Sequence, residues 1–344
     1  MLEPAYDTIW RRGLRVFGRV RIVAKLKISR PLVVVLQSGV SLALLGVLVS
    51  SPGFRGSLAS VIVSGDRRWL AVGFLLAGFA QILCLVRWRI FLGMAGIRIG
   101  GPEAAGVFFA GLFSNLFLPG GAGGDVVKIG LLAARGHDPA RAAISVVMDR
   151  LAGTVSMVVL GGSLIAWNHE WLSAAPVAAG VMRGIAVYLA VLALLVAASV
   201  ALCARPVVSR LPARCPGRAR LVELTGVYFQ CAVRWPRTLL ALAVSIAMLA
   251  VFFLSYYFSA RAYGVDIGAG KFLALMPAVD IIAGLPVSLG GLGVREGVFA
   301  LLLGALASVP APAAMAVSLA GYMMSALWGI PGAFLWLLHR REIR

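Results

Sequence analysis

Charged residues interrupt otherwise apolar sequence at four places: Asp125 with Lys128, the adjacent pair Asp149 and Arg150, Asp280, and the adjacent pair Arg295 and Glu296. A charge at the centre of a membrane helix costs about 2.5–3.5 kcal/mol on insertion scales, so such residues face a cavity or a partner. Carboxylates so placed can take a cationic group or a proton. An arginine can grip a phosphate through two parallel N–H donors. Asp280 is the most isolated, since FLALMPAVDIIAGLP carries no other charge and its nearest charged neighbours are Lys271 and Arg295. It reads either as a ligand-binding group or as an acceptor for a broken-helix N-terminus. Asp149 and Arg150 cannot face each other on a helix. Each therefore needs another partner, sought here in the broken-helix regions, although Arg150 can also snorkel. Glu296 falls early in a helical stretch, where a negative charge is favourable in any case.

Glycine-rich turns accompany these charges. Asn115–Asp125 reads NLFLPGGAGGD, and Leu285–Glu296 reads LPVSLGGLGVRE. Both pass from an apolar helix through Leu-Pro into glycines, then to a charged residue opening a new helix. Paired Gly/Pro interruptions at corresponding places in two halves point to a transporter site. Their half-helix N-termini offer unpaired N–H groups to an anion. Asn115, Gly120, Gly124, Gly290 and Gly291 are candidate lining residues on that reading. Glycine also has a plainer use in tight turns and close helix packing, and Asn115 with Ser114 can serve freed backbone groups. A phosphate-binding GxxxxGK[ST] loop is excluded, because Asp125 follows Gly124 and Ile129 follows Lys128.

The elements that must position these residues are membrane helices. Of 344 residues, 61% are hydrophobic and 13% charged, and the mean hydropathy is +0.95; soluble domains carry about 25% charged residues. Full spans are expected near 32–50, 69–91, 142–167, 184–204, 237–260 and 311–338. Two shorter apolar segments, near 104–118 and 271–285, each lead through a glycine turn into a further helix, near 125–135 and 294–308. Segments that short read as re-entrant. The expected fold is an all-α polytopic membrane protein of about six spans with two re-entrant broken-helix hairpins arranged as an inverted repeat. Four regions follow. Residues 1–31 form a basic interfacial segment, and 32–204 form a first membrane half with its hairpin at 104–135. A basic loop at 205–236 then leads to a second half, 237–344, with its hairpin at 271–308.

The net charge is +19, which in a soluble protein would suggest nucleic acid. Here 24 of the 32 Lys/Arg fall in stretches that one topology places on the cytoplasmic side, the signature of positive-inside orientation. Both termini are then cytoplasmic, and anionic lipid headgroups are the expected electrostatic partner rather than nucleic acid. The loop 205–237 serves orientation or docks to anionic lipid. Arg87 and Arg89, around Trp88, read as a membrane-interface anchor. The first 31 residues show neither the apolar core nor the cleavage site of a signal peptide. The four cysteines and three histidines form no metal or disulfide pattern. HExxH and GxSxG are absent, and no cofactor and no enzymatic activity are expected.

FFAGLFSNLFLPGGAGGDVVKIGLLAARG, SVVMDRLAGTVSMVVLG and PAVDIIAGLPVSLGGLGVREGVFALLL together resemble the lysylphosphatidylglycerol synthase transmembrane-region family over roughly residues 30–340. The resemblance implies an inner-membrane helical domain with re-entrant segments, of the kind that moves an aminoacylated phospholipid between leaflets in two-part members. Carried over by position, it points to Asn115, Pro119, Gly120, Gly124, Asp125, Lys128, Asp149 and Arg150. In the second half it points to Asp280, Pro286, Gly290, Gly291, Gly293, Arg295 and Glu296. The sequence ends at Arg344 without an aminoacyl-transfer domain, so a stand-alone member is expected. Two functions remain open: a flippase-like transporter of a phospholipid or related lipid without ATP hydrolysis, and a non-transporting membrane partner of a separate lipid- or glycolipid-modifying enzyme.

Overall fold

The computed structural model describes residues 63–115, 123–204, 218–233, 235–285 and 287–331. These residues are helical almost throughout, with no strand among them. The order is α1 (Arg67–Met94), α2 (Gly101–Ser114), α3 (Gly123–Ala134), α4 (Pro139–Trp167), α5 (Pro176–Ala204), α6 (Arg218–Val233), α7 (Trp235–Ala262), α8 (Ala269–Ala283), α9 (Val294–Ala307) and α10 (Ala311–Leu327). The expected span at 32–50, the segment 1–31 and the end of the span at 311–338 lie outside the described residues.

Helices α1, α4, α5 and α7 are long and apolar enough to cross a membrane. At 1.5 Å per residue, the 28 residues of α1 reach about 42 Å, more than the ~30 Å hydrocarbon core. Their starts are chemically marked. The Asp66 side chain accepts from the Arg68 amide at 2.8 Å, and Asp138 does the same for Ala140 at 3.0 Å, ahead of Pro139. These are N-caps, satisfying donors that a helix start leaves unpaired. Much of α5 remains apolar and uncovered, with Val187, Val191, Leu194 and Leu195 all exposed, as a lipid-facing helix requires. The protein is thus an integral, polytopic helical membrane protein.

Helices α1 and α7 form the central pair and run antiparallel. At one end the Asp66 amide donates to the Ala262 carbonyl at 2.9 Å. Their contact with α10 relies on small residues. A Cβ at Gly321 would lie 2.4 Å from the Tyr256 ring, and one at Gly78 would lie 2.2 Å from the Trp328 indole. Trp328 also donates its indole N–H to the Phe74 carbonyl at 2.9 Å. Close backbone approach of this kind is how helices associate where no hydrophobic effect drives them. An aromatic core of Phe253, Tyr256, Phe272 and Phe299 ties α7 to α8 and α9.

The two short apolar segments are each half of a helix pair, α2 packed on α3 and α8 packed on α9. Two irregularities meet between α4 and α8. Helix α4 passes through a π-helical turn at Met157–Gly161, and α8 contains Pro277. A Cβ at Gly161 would lie 3.1 Å from Pro277 Cγ, so the proline ring of α8 packs against the backbone of α4 where each hydrogen-bond ladder is broken. The basic region 205–237 is not simply a loop. Its second half is helix α6, held to α5 by a 2.8 Å hydrogen bond between Tyr228 and Ser199.

Candidate functional site

The second glycine turn is built on positive φ angles. Gly290, Gly291 and Gly293 adopt φ of +61°, +76° and +83°, a left-handed conformation that side chains oppose. At Gly291 a Cβ would also fall 2.7 Å from the Ala283 carbonyl. The turn reverses the chain so that α9 begins at Val294. Glu296 stabilises that start: it accepts from the Gly293 amide at 2.5 Å and from the Ser318 hydroxyl at 2.8 Å. It is wholly buried. The structure therefore places Glu296 in the join between α9 and α10, and it is not among the lining residues of the cavity beside Arg295. Its favourable place in the first helical turn, noted in the sequence, accounts for it.

Arg295 points back over the turn. One guanidinium nitrogen, Nη2, donates to the Gly290 carbonyl at 2.8 Å, and the group lies 4.5 Å from the centroid of the Tyr322 ring. Its other terminal nitrogen, Nη1, is buried without a hydrogen-bond partner among the described residues. The Ser288 and Ser325 hydroxyls are in the same condition. All three residues line one cavity of about 260 Å³, together with Gln81, Asn115, Asp280, Gly290, Gly291 and Tyr322. Asp280 makes no ion pair among the described residues, and Arg295 is the cation that bears on it electrostatically. Buried donors without partners cost about 1–3 kcal/mol each. Their convergence on one cavity suits a polar occupant.

The cavity draws on both interrupted helices, because Asn115 comes from the first. Asn115 also closes that motif, its Oδ1 accepting from the Gly124 amide at 2.7 Å. Helices α2 and α3 approach closely there, and a Cβ at Gly124 would lie 2.2 Å from the Gly111 carbonyl. Both plainer uses considered from the sequence, packing for the glycine and backbone service for the asparagine, are therefore present. Gly120, Pro119 and Pro286 lie outside the described residues.

Asp125, Lys128 and Arg150 form a second group of charges. Asp125 meets Arg150 at 2.7 Å and Lys128 at 3.7 Å. The Lys128 ammonium is buried and lies 4.8 Å from the Phe108 centroid and 5.3 Å from that of Trp88, an arrangement that attracts a cation through ring quadrupoles. Arg150 is exposed and does find its partner in the first broken-helix region. Asp149 does not. Its carboxylate is buried and accepts from Arg87 Nε at 2.7 Å, while Arg87 Nη1 donates to Ser245 at 2.7 Å. This corrects the reading of Arg87 as an interface anchor: it is a buried strut joining α1, α4 and α7. Arg89, by contrast, is exposed.

Four polar cavity residues carried no prior flag: Gln81, Ser288, Tyr322 and Ser325. Gln81 had a signal, being the single carboxamide in the apolar run of α1. Tyr322 and Ser325 are three apart and so share a face of α10. Gln81 also fixes the depth of the cavity. It lies at the middle of α1, about 21 Å along the helix from Arg67.

No curated protein matches the chain. The lysylphosphatidylglycerol synthase TM region matches residues 32–330, and with nearly the whole sequence covered, the chain belongs to that family.

Proposed function

We propose that the protein moves a phospholipid or related amphipathic lipid between the leaflets of the bacterial inner membrane, without ATP hydrolysis and without chemical conversion of the lipid. The observation that carries this reading is the mid-span cavity shared by residues of both interrupted helices. Transporter sites lie near the bilayer midplane and are built from discontinuous helices. Membership in a family of lipid-related membrane domains supports it. The headgroup would cross through the cavity while its acyl chains stay in the bilayer. Arg295 Nη1 and the Ser288 and Ser325 hydroxyls would hold a phosphate, and Asp280 would meet a cationic substituent or take up a proton. The α2–α3 and α8–α9 pairs would act as re-entrant hairpins of opposite orientation, with Asp125, Lys128 and Arg150 holding the first together.

The test is leaflet exchange of a fluorescent phospholipid in vesicles containing the purified protein. Wild-type exchange is expected to exceed that of protein-free vesicles, and Asp280→Asn and Arg295→Gln are each expected to lower it about tenfold or more, the loss of one charge-assisted contact. Exchange no faster than in empty vesicles would refute the reading and favour a non-transporting partner of a separate lipid-modifying enzyme.

A further inference from the structure

A second cavity, of about 710 Å³, lies at one end of the helix bundle and shares no residue with the first. Arg98, just beyond the end of α1, Arg141 at the start of α4 and Arg237 at the start of α7 all line it. No acidic side chain lines it among the described residues. The rest of its wall is the end of α1 and the turn after it, residues 93–96, and one face of α6, presented by Val222, Gly226 and Gln230 at four-residue spacing.

The charge arrangement suits an anion. Arg141 and Arg237 are each the third residue of their helix, in the turn where the helix dipole is positive and cations are disfavoured. Asp138 offsets this in part, 3.7 Å from Arg141, but its carboxylate also serves as the N-cap of α4. Three guanidinium groups and two helix N-termini therefore converge on one space. That space is open: a Cβ at Gly226 or Gly93 would meet nothing within 4 Å. Its size falls within the ~300–1,000 Å³ of small-molecule sites.

We propose that this pocket binds the phosphate headgroup of an anionic lipid, which clamps α6 against the ends of α1, α4 and α7. Arginine suits phosphate through its planar pair of donors, and basic pockets between helix ends at a membrane surface take anionic headgroups. A lipid fits better than a soluble phosphate ester because the pocket lies at the ends of membrane-spanning helices, beside the apolar Val222 and Val227 of α6. The site is independent of lipid exchange through the mid-span cavity.

The test is thermal unfolding of the full chain in nanodiscs of phosphatidylcholine, with and without phosphatidylglycerol. Phosphatidylglycerol is expected to raise the melting temperature of the wild type. The same rise is expected for the distant control Arg67→Gln with Arg68→Gln. Arg98→Gln with Arg237→Gln should not lower the melting temperature in pure phosphatidylcholine, and should weaken the phosphatidylglycerol titration by about tenfold for each arginine removed. Gly226→Leu, which fills the pocket but keeps every arginine, should also abolish the rise. A double variant or a filled pocket that responds as the wild type does would overturn the proposal. So would inorganic phosphate reproducing the full rise, since that ligand needs no lipid.

Discussion

Arg87 and Arg89 flank Trp88, yet their surroundings are opposite. Arg87 is held in the bundle by Asp149 and Ser245, while Arg89 is exposed. Removing one partner of a buried pair leaves the other charge uncompensated, at about 3–5 kcal/mol, whereas an apolar replacement of both can be nearly neutral. Arg87→Ala is therefore expected to lower the melting temperature of the purified protein strongly, with Arg89→Ala close to wild type. Arg87→Met with Asp149→Leu should recover most of the loss. Equal melting curves for the two single variants would remove the strut from the account. This contrast was not legible in the sequence. Two arginines either side of one tryptophan look alike until the packing of α4 and α7 onto α1 decides which one is enclosed. Asp280 was legible, because the one charged residue in a fifteen-residue stretch signals itself without any tertiary information.

At the level of elements, the interrupted helices were readable because Leu-Pro followed by glycines breaks a helix for local reasons. The expected segments near 271–285 and 294–308 match α8 and α9 to within two residues. Helix α6 was not readable as a helix, since it lies in the stretch 205–237, whose seven arginines against Glu223 alone read as a basic loop. Nor was the cavity, whose walls come from α1, α2, α8, α9 and α10, elements spread widely along the sequence. The first helix pair offers a clean comparison within α3. Gly124 faces the Gly111 carbonyl, with no room for a methyl group, while a Cβ at Gly130 would meet nothing within 4 Å. Gly124→Ala should destabilise the protein by about 1–3 kcal/mol through overpacking. Gly130→Ala should stabilise it slightly, by about 0.4–1 kcal/mol, because alanine restricts the unfolded chain. Thermal melts of the two variants check both signs, and a neutral Gly124→Ala would mean that α2 and α3 do not approach as described.

For the molecule as a whole, the antiparallel α1 and α7 set two ends. One end holds Asp66, Arg67 and Arg68 near Ala262, and the other holds the pocket of Arg98, Arg141 and Arg237. Positive-inside orientation would put the arginine pocket in the cytoplasm. Cysteines introduced at Arg98 and at Arg68, in a background without the four native cysteines, test this with a membrane-impermeant thiol reagent on intact cells. Labelling at Arg68→Cys and protection at Arg98→Cys is the expected pattern, and the reverse would invert the topology.

The contact between Gly161 and Pro277 bears on how such a bundle can move. A helix resists bending through its continuous ladder, and both α4 and α8 lack a regular ladder at this height. Proline removes a hydrogen bond, and a π turn is, like proline, a place where helices kink. The pair makes a fulcrum: a place of low bending stiffness braced on both sides by stiffer helix. Asp280 lies one turn beyond it, so a small tilt of the far half of α8 about Pro277 displaces that carboxylate within the cavity while the aromatic core around Phe272 stays still.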